Sequence, residues 1–102
     1  MSTPCNRWEV LINEAEKTGN KEKALEFREK LVECIVYTVQ ELIAKGRSED
    51  LRDAEELLKY GEDVGNRLGI SELQFHVNLL RKRIEEKRER RKPREAEVKQ
   101  KQ

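Results

Sequence analysis

The chain has 102 residues and a formal net charge of +1, with 42% of its residues charged and 5% aromatic. This length suits a single domain, and no apolar stretch approaches the ~20 residues of a membrane-spanning helix, so we expect a cytoplasmic protein. The abundance of Glu, Lys and Arg is typical of the ion-pair-rich surfaces of thermophile proteins.

Charge is distributed unevenly along the chain. Eleven Lys or Arg residues and five Glu residues lie between Arg81 and Gln102, a net charge of +6, so residues 1–80 carry −5. Beyond Ile84 the apolar residues are Ala96 and Val98, so the core must come from the residues before them. The sequence therefore predicts an acidic body with a basic C-terminal extension.

The first helix is predicted at residues 6–17, after a flexible N-terminus of residues 1–5. Apolar residues at spacings of three and four form one helical face: Trp8, Leu11, Ile12 and Ala15. Thr18-Gly19-Asn20 ends the helix, because glycine readily takes the left-handed conformation found past a helix end.

The second helix is predicted at residues 21–45, a stretch without Gly or Pro. The β-branched run Ile35–Val39 resembles a buried strand, but both flanks keep helical spacing and no second strand is available to pair with it. A helix that is apolar on most sides is surrounded by other helices, so we expect this one to be the central element.

The third helix is predicted at residues 49–68, with Ser48 as its N-cap. Gly61 and Gly65 lie on its apolar face, and each costs about 1 kcal/mol relative to Ala inside a helix. Close helix packing against the second helix at Gly61 and Gly65 would offset that cost. The alternative is that the helix breaks at Gly61.

The fourth helix is predicted at residues 72–91, with Ser71 and Gln74 as a capping box. Because Pro93 disfavours helix in the residue before it, we expect an end near Arg91 and a disordered basic tail at 93–102. The predicted fold is an all-α domain at 6–92, a four-helix bundle of two helical hairpins around a long central second helix.

The residues that carry chemistry are sparse. His76 is the single histidine, and one His with the distant Cys5 and Cys34 does not make a zinc site. No nucleophile has a paired base, and no glycine-rich phosphate loop is present, so we predict no catalytic site, no cofactor and no metal. Two cysteines are too few for a disulfide scaffold, and we expect both thiols to be reduced.

The first hairpin resembles tetratricopeptide-like helical repeats. Trp8, Leu11, Gly19 and Ala24 fall at that family's spacings, although Ile12 stands where the family has a small residue and the closing proline is missing. The resemblance implies a helical hairpin of the kind that binds peptides. The alternative is that any two packed helices with a Gly turn give such a match.

The segment 63–75 resembles a helix-turn-helix motif, with Gly65 and Gly69 at its small and turn positions. Asn78 falls where that motif has an apolar residue. The resemblance implies a nucleic-acid-binding protein in which three residues near the start of the fourth helix are close to base edges: Ser71, Gln74 and His76.

The basic extension provides the contact residues for either an acidic protein partner or nucleic acid. These candidates are Arg81, Lys82, Arg83, Lys87, Arg88, Arg90, Arg91, Lys92 and Arg94. No aromatic residue lies among them, so nucleic acid would be contacted through its backbone. The primary prediction is a non-enzymatic protein-interaction or assembly module, self-associating as a homo-oligomer. The alternative is a nucleic-acid-binding protein that uses segment 63–80 and the extension 81–102.

Overall fold

A computed structural model describes the backbone of residues 4–101 and the side chains of residues 4–90. It contains helices α1 (Asn6–Lys17), α2 (Lys21–Lys45), α3 (Ser48–Leu68) and α4 (Ser71–Lys101), and no strand in residues 4–101. The prediction of an all-α bundle of four helices is confirmed. The backbone of α4 continues through Pro93, past the end expected near Arg91. The disordered tail at 93–102 stays a prediction, and Gln102 lies outside the described residues.

Glycine residues end the second and third helices. Gly46 and Gly69 have φ angles of +70° and +67°. In this left-handed region glycine has no Cβ to clash with the following carbonyl, so the helix can stop there. At the start of α2, the Asn20 side chain accepts a hydrogen bond from the Lys23 backbone N–H at 3.1 Å.

The N-terminus of α3 differs from the expectation. Ser48 is the first helical residue, and Arg47 occupies the cap position without a side-chain cap bond. The Asp50 carboxylate instead accepts from the Arg47 backbone N–H at 3.3 Å and from its Nε at 2.6 Å. The prediction of a Ser48 cap is wrong because Asp50, one turn into the helix, ties back to Arg47.

Helix α2 is the central element, since it packs against α1, α3 and α4. Within the run Ile35–Val39, Ile35 and Val39 are fully buried, whereas Tyr37 is 67% exposed. The core that surrounds them comes from all four helices, and its largest fully buried members elsewhere are Ile12, Leu31, Leu51, Leu57, Leu58, Val64, Leu73, Val77, Leu80 and Ile84.

Helix α3 passes through Gly61 and Gly65 without a break. A Cβ built on Gly61 would lie 3.4 Å from Ile35 Cγ2 of α2 and 3.6 Å from Val77 Cγ2 of α4. A Cβ on Gly65 would lie 3.4 Å from the Ile70 carbonyl oxygen and from Leu73 Cβ. Gly61 thus lies between α2 and α4, whereas Gly65 faces the start of α4.

The two cysteines form a disulfide between Cys5 and Cys34, with 5.7 Å between their Cα atoms. The expectation of reduced thiols is wrong, because the residue before α1 folds onto the middle of α2, where Cys34 faces it. Cys5 is fully buried. The flexible N-terminus at residues 1–5 stays a prediction, and residues 1–3 lie outside the described part of the chain.

Polar contacts join α1 to α3 across the bundle. Glu9 accepts a hydrogen bond from the Tyr60 hydroxyl at 2.8 Å and from Arg67 at 2.7 Å, and Arg67 also donates to Asp63 at 2.9 Å. Burial, and then the hydrogen bond to the Glu9 carboxylate, raises the pKa of Tyr60. These contacts fix the first hairpin against the second.

Candidate nucleic-acid interface

Two of the predicted contact arginines make ion pairs with α3. Arg81 donates to both carboxylate oxygens of Glu62, at 3.0 and 3.3 Å, and Arg88 donates to both oxygens of Glu55, at 2.7 Å each. The hydrogen bond from each arginine holds the pKa of its carboxyl partner below the usual value. Glu85, three residues before Arg88 on the same helix, is the local candidate for this pairing, but Arg88 pairs with Glu55 instead.

Three other predicted contact residues remain open to solvent. Lys82, Arg83 and Arg90 are exposed. None of them makes an ion pair or a hydrogen bond with any side chain in residues 4–90. The side chains of Arg91, Lys92 and Arg94 lie outside the described residues. The outward surface of α4 therefore presents cations that have no ion-pair partner among residues 4–90.

Lys87 links this surface to the turn between α2 and α3. Its side chain lies against Gly46, where a Cβ would be 2.8 Å from Lys87 Cε. Lys45 and Arg47 flank that glycine and are exposed, although Arg47 also holds Asp50. Lys87 thus joins the turn to α4, and we define the basic end as the cations of the turn together with those of α4 between Lys82 and Arg90: Lys45, Arg47, Lys82, Arg83, Lys87 and Arg90.

Sequence reasoning missed the contribution of the turn to the basic end. Lys45 and Arg47 are about 40 positions from the basic extension, and only the packing of α2 against α4 brings them together. The available signal was the placement of two basic residues around a glycine at a predicted helix end. A Lys near a helix C-terminus is already accounted for by its favourable interaction with the helix dipole. The sequence therefore gave no separate reason to assign Lys45 to the interface.

The proposed base-reading residues lie at the opposite end of α4 from its basic extension. Gln74 donates its side-chain amide hydrogen bond to Asn78 at 3.1 Å, and the His76 ring lies edge-on to Phe75 with ring centroids 5.6 Å apart. Ion pairs at both Glu55 and Glu62 keep α3 and α4 side by side and antiparallel, unlike the wide crossing of a helix-turn-helix. A base-reading role for Ser71, Gln74 and His76 stays a prediction.

The side chains of residues 4–90 offer no further chemistry of this kind. Within them, no group of three or more His, Cys, Asp or Glu side chains is arranged to hold a metal ion. None of the helices there combines the length and the apolar character needed to cross a membrane.

Comparison with known proteins adds a family. A family model described as archaeal ribosomal protein aL49 matches residues 4–91, which include all of α1, α2 and α3 and the part of α4 that contains the basic end. The comparison with curated proteins found no match.

Proposed function

We propose that this chain, which belongs to the archaeal ribosomal protein aL49 family, is a non-enzymatic component of the ribosome that binds the ribosomal RNA backbone through its basic end. The observation behind this proposal is the presence on α4 of exposed cations without ion-pair partners in the described side chains, beside the basic turn, in a chain of a ribosomal protein family. A place on the ribosome also fits the cytoplasmic location expected from the sequence.

The contrast between paired and unpaired arginines supports a division of roles. Arg81 and Arg88 use their guanidinium groups to hold α4 against α3 through Glu62 and Glu55. Because these pairs fix α4, its outward face presents Lys82, Arg83 and Arg90 at set positions. Arg83, Lys87 and Arg90 follow one another at spacings of four and three, which places them on one side of the helix.

The chemistry of the basic end suits phosphate rather than bases. Lys and Arg neutralise phosphates and release bound counterions, which gives affinity without sequence preference. No aromatic side chain lies between Arg81 and Gln102 to stack on a base. Three glutamates among these cations, Glu85, Glu86 and Glu89, weaken the local positive field, so we expect modest and strongly salt-dependent affinity.

The sequence predicted a protein-interaction module, and in this proposal the protein partners are other components of the ribosome. Partners within the ribosome include proteins as well as RNA, and the acidic body, with its charge of −5, is unsuited to RNA. Self-association gains no support from the family, which is described as a ribosomal protein. It stays a prediction, which light scattering over a range of concentrations tests.

The experiment compares incorporation into ribosomes. The full chain is expressed with a tag in an archaeal host, and its sedimentation with ribosomal particles is followed at rising salt. We expect the chain to co-sediment at low salt. A variant with Lys82→Gln, Arg83→Gln and Arg90→Gln should leave the particles at lower salt than the unmodified chain.

A control variant removes the same number of positive charges from a different part of the surface. Lys17→Gln, Lys21→Gln and Lys59→Gln remove three exposed cations, two of them beside the α1–α2 turn, about 36 Å along α2 from its basic end. The control should dissociate at the same salt as the unmodified chain. A full-length chain that never sediments with ribosomal particles would refute the proposed function.

A further inference from the structure

A groove of about 860 Å³ lies along α2, in the acidic body of the protein. It is bordered by Trp8 of α1, by Glu29, Glu33 and Tyr37 of α2, and by Glu72 and His76 of α4. We propose that this groove binds an extended, basic segment of a neighbouring ribosomal protein. The inference rests on the proposed function, because it takes the ribosome as the setting of the contact.

The charges around the groove select the class of partner. Three carboxylates border it, Glu29, Glu33 and Glu72, whereas the lysine among its lining residues, Lys30, lies 3.9 Å from Glu33. Such a rim repels phosphate and attracts Lys and Arg side chains. The groove is therefore a protein site, opposite in charge to the basic end.

Two aromatic side chains give the groove its apolar and polar contacts. Tyr37 is 67% exposed, and Trp8 is half-buried against Phe27, with ring centroids 6.0 Å apart. Neither the Tyr37 hydroxyl nor the Trp8 indole N–H has a hydrogen-bond partner in residues 4–90. The indole is thus available to a backbone carbonyl of an extended chain, and the Tyr37 ring face to a Lys or Arg side chain.

One of the two aromatic rings already carries an arginine of this chain. The Arg7 guanidinium lies over the Trp8 ring, 5.0 Å from its centroid. Arg7 does not line the groove and already occupies a Trp8 face, so Tyr37, the more exposed of the two rings, is the ring open to a partner's cation. A segment that contains Arg or Lys can therefore contact both the carboxylates of the groove and the ring of Tyr37.

A second copy of this chain is a poorer occupant of the groove. Its basic stretch, from Arg81 onward, contains five glutamates, which the carboxylates of the groove would repel. The acidic body of a second copy would add further repulsion. A segment from another ribosomal protein, rich in Lys and Arg without interspersed acids, fits the charge better.

The test uses photocrosslinking in assembled ribosomes. Tyr37 of the full chain is replaced by the photoreactive residue p-benzoylphenylalanine, and its incorporation into ribosomes is measured before irradiation. A control chain has the same substitution at Phe75, which is 65% exposed on α4 and does not line the groove. We expect the residue-37 probe, and not the control, to crosslink to a Lys- and Arg-rich peptide of one ribosomal protein.

Charge reversal gives the second arm of the same experiment. Glu29→Lys with Glu33→Lys should lower the crosslink yield at residue 37 by roughly tenfold, because the contact depends on these carboxylates. Glu41→Lys, an exposed position on α2 outside the groove, should leave the yield unchanged.

Several outcomes would overturn the inference while the proposed function stands. They are a crosslink to ribosomal RNA, to a second copy of this chain or to a peptide without basic residues, an unchanged yield after charge reversal, and no crosslink in ribosomes that contain the chain. Failure of the chain to enter ribosomes would instead refute the proposed function, and this inference with it.

Discussion

Arg88 and Glu55 form a bidentate ion pair between α4 and α3, with both nitrogen-to-oxygen distances at 2.7 Å. A residue that belongs by sequence to the basic extension thus contributes to the fold. The pair lies seven residues from the equivalent contact of Arg81 with Glu62, which is about 10 Å along the helix. Together the two pairs set the register of the second hairpin.

We predict that Arg88 and Glu55 are energetically coupled. Because both side chains are partly exposed, a double-mutant cycle with Arg88→Ala and Glu55→Ala should give a coupling of about 0.2–1 kcal/mol in the free energy of unfolding. Urea unfolding of the four proteins measures it. A second cycle, with Lys82→Ala and Glu55→Ala, is the control. A coupling energy between Lys82 and Glu55 as large as that between Arg88 and Glu55 would show that the ion pair is not the source of the coupling.

Stability should fall in acid through the carboxylates paired with arginine. The hydrogen bonds from Arg88 and Arg81 lower the pKa values of Glu55 and Glu62 in the folded state. Their contribution is therefore fully present above the unfolded pKa of about 4.3 and is lost as pH falls through the lower folded pKa values. Urea midpoints at pH 7, 4 and 3 should decline, and less steeply for Glu55→Gln with Glu62→Gln. Parallel declines in both proteins would contradict this assignment.

Reduction of the Cys5–Cys34 disulfide should destabilise the protein. The bond closes a loop with a sequence separation of 29, for which chain entropy gives about 3–4 kcal/mol. Disulfides of this kind occur inside cells of hyperthermophilic archaea, which agrees with the thermophile-like composition. Thermal unfolding with and without dithiothreitol measures the effect. The variant Cys5→Ser with Cys34→Ser should be insensitive to the reductant, and equal melting temperatures for the oxidised and reduced native chain would argue against the bond.

Alanine should have opposite effects at two of the glycines. At Gly61 a Cβ would make ordinary contacts, 3.4 Å from Ile35 and 3.6 Å from Val77, so Gly61→Ala should raise stability by about 0.5–1 kcal/mol through helix propensity. At Gly46 the φ of +70° and the Lys87 side chain make alanine unfavourable, by about 1–2 kcal/mol. Melting temperatures of the two variants test this, and a loss of stability at Gly61 would mean that the helices need the glycine itself.

The sequence predicted the features that depend on neighbouring residues. Helical spacing around Ile35, and the glycines that follow the first three helices, predicted the four helices and the central place of α2. The same local reasoning could not find the partner of Arg88, because Glu55 and Glu85 are equally good carboxylates until the register of two helices is known. Nor could it bring Cys5 to Cys34, since that contact depends on how α1 folds back onto α2.

The candidate interface was predictable only in part, because it too depends on tertiary contacts between distant residues. The surplus of positive charge after Arg81 is a property of the sequence, and it led to nucleic acid as an alternative. Which of these cations are neutralised within the fold depends on tertiary contacts, as does the approach of Lys45 and Arg47 to Lys87. The partial resemblances at Trp8 and at Gly65 did not lead to the ribosomal family, and the packing of α3 on α4 differs from the helix-turn-helix that the second resemblance implied.

The salt dependence of RNA binding tests the central claim most directly. Affinity of the full chain for ribosomal RNA is measured from low to high salt, with point variants rather than a chain truncated at Ile84, since truncation also removes the Arg88–Glu55 pair. The account predicts that Lys82→Gln, Arg83→Gln and Arg90→Gln weaken binding and reduce the slope of log affinity against log salt by about 2–3, at 0.7–0.9 for each lost phosphate contact. Lys17→Gln, Lys21→Gln and Lys59→Gln should leave affinity and slope as they are. Equal slopes for the two triple variants, or no binding by the unmodified chain at low salt, would contradict the account.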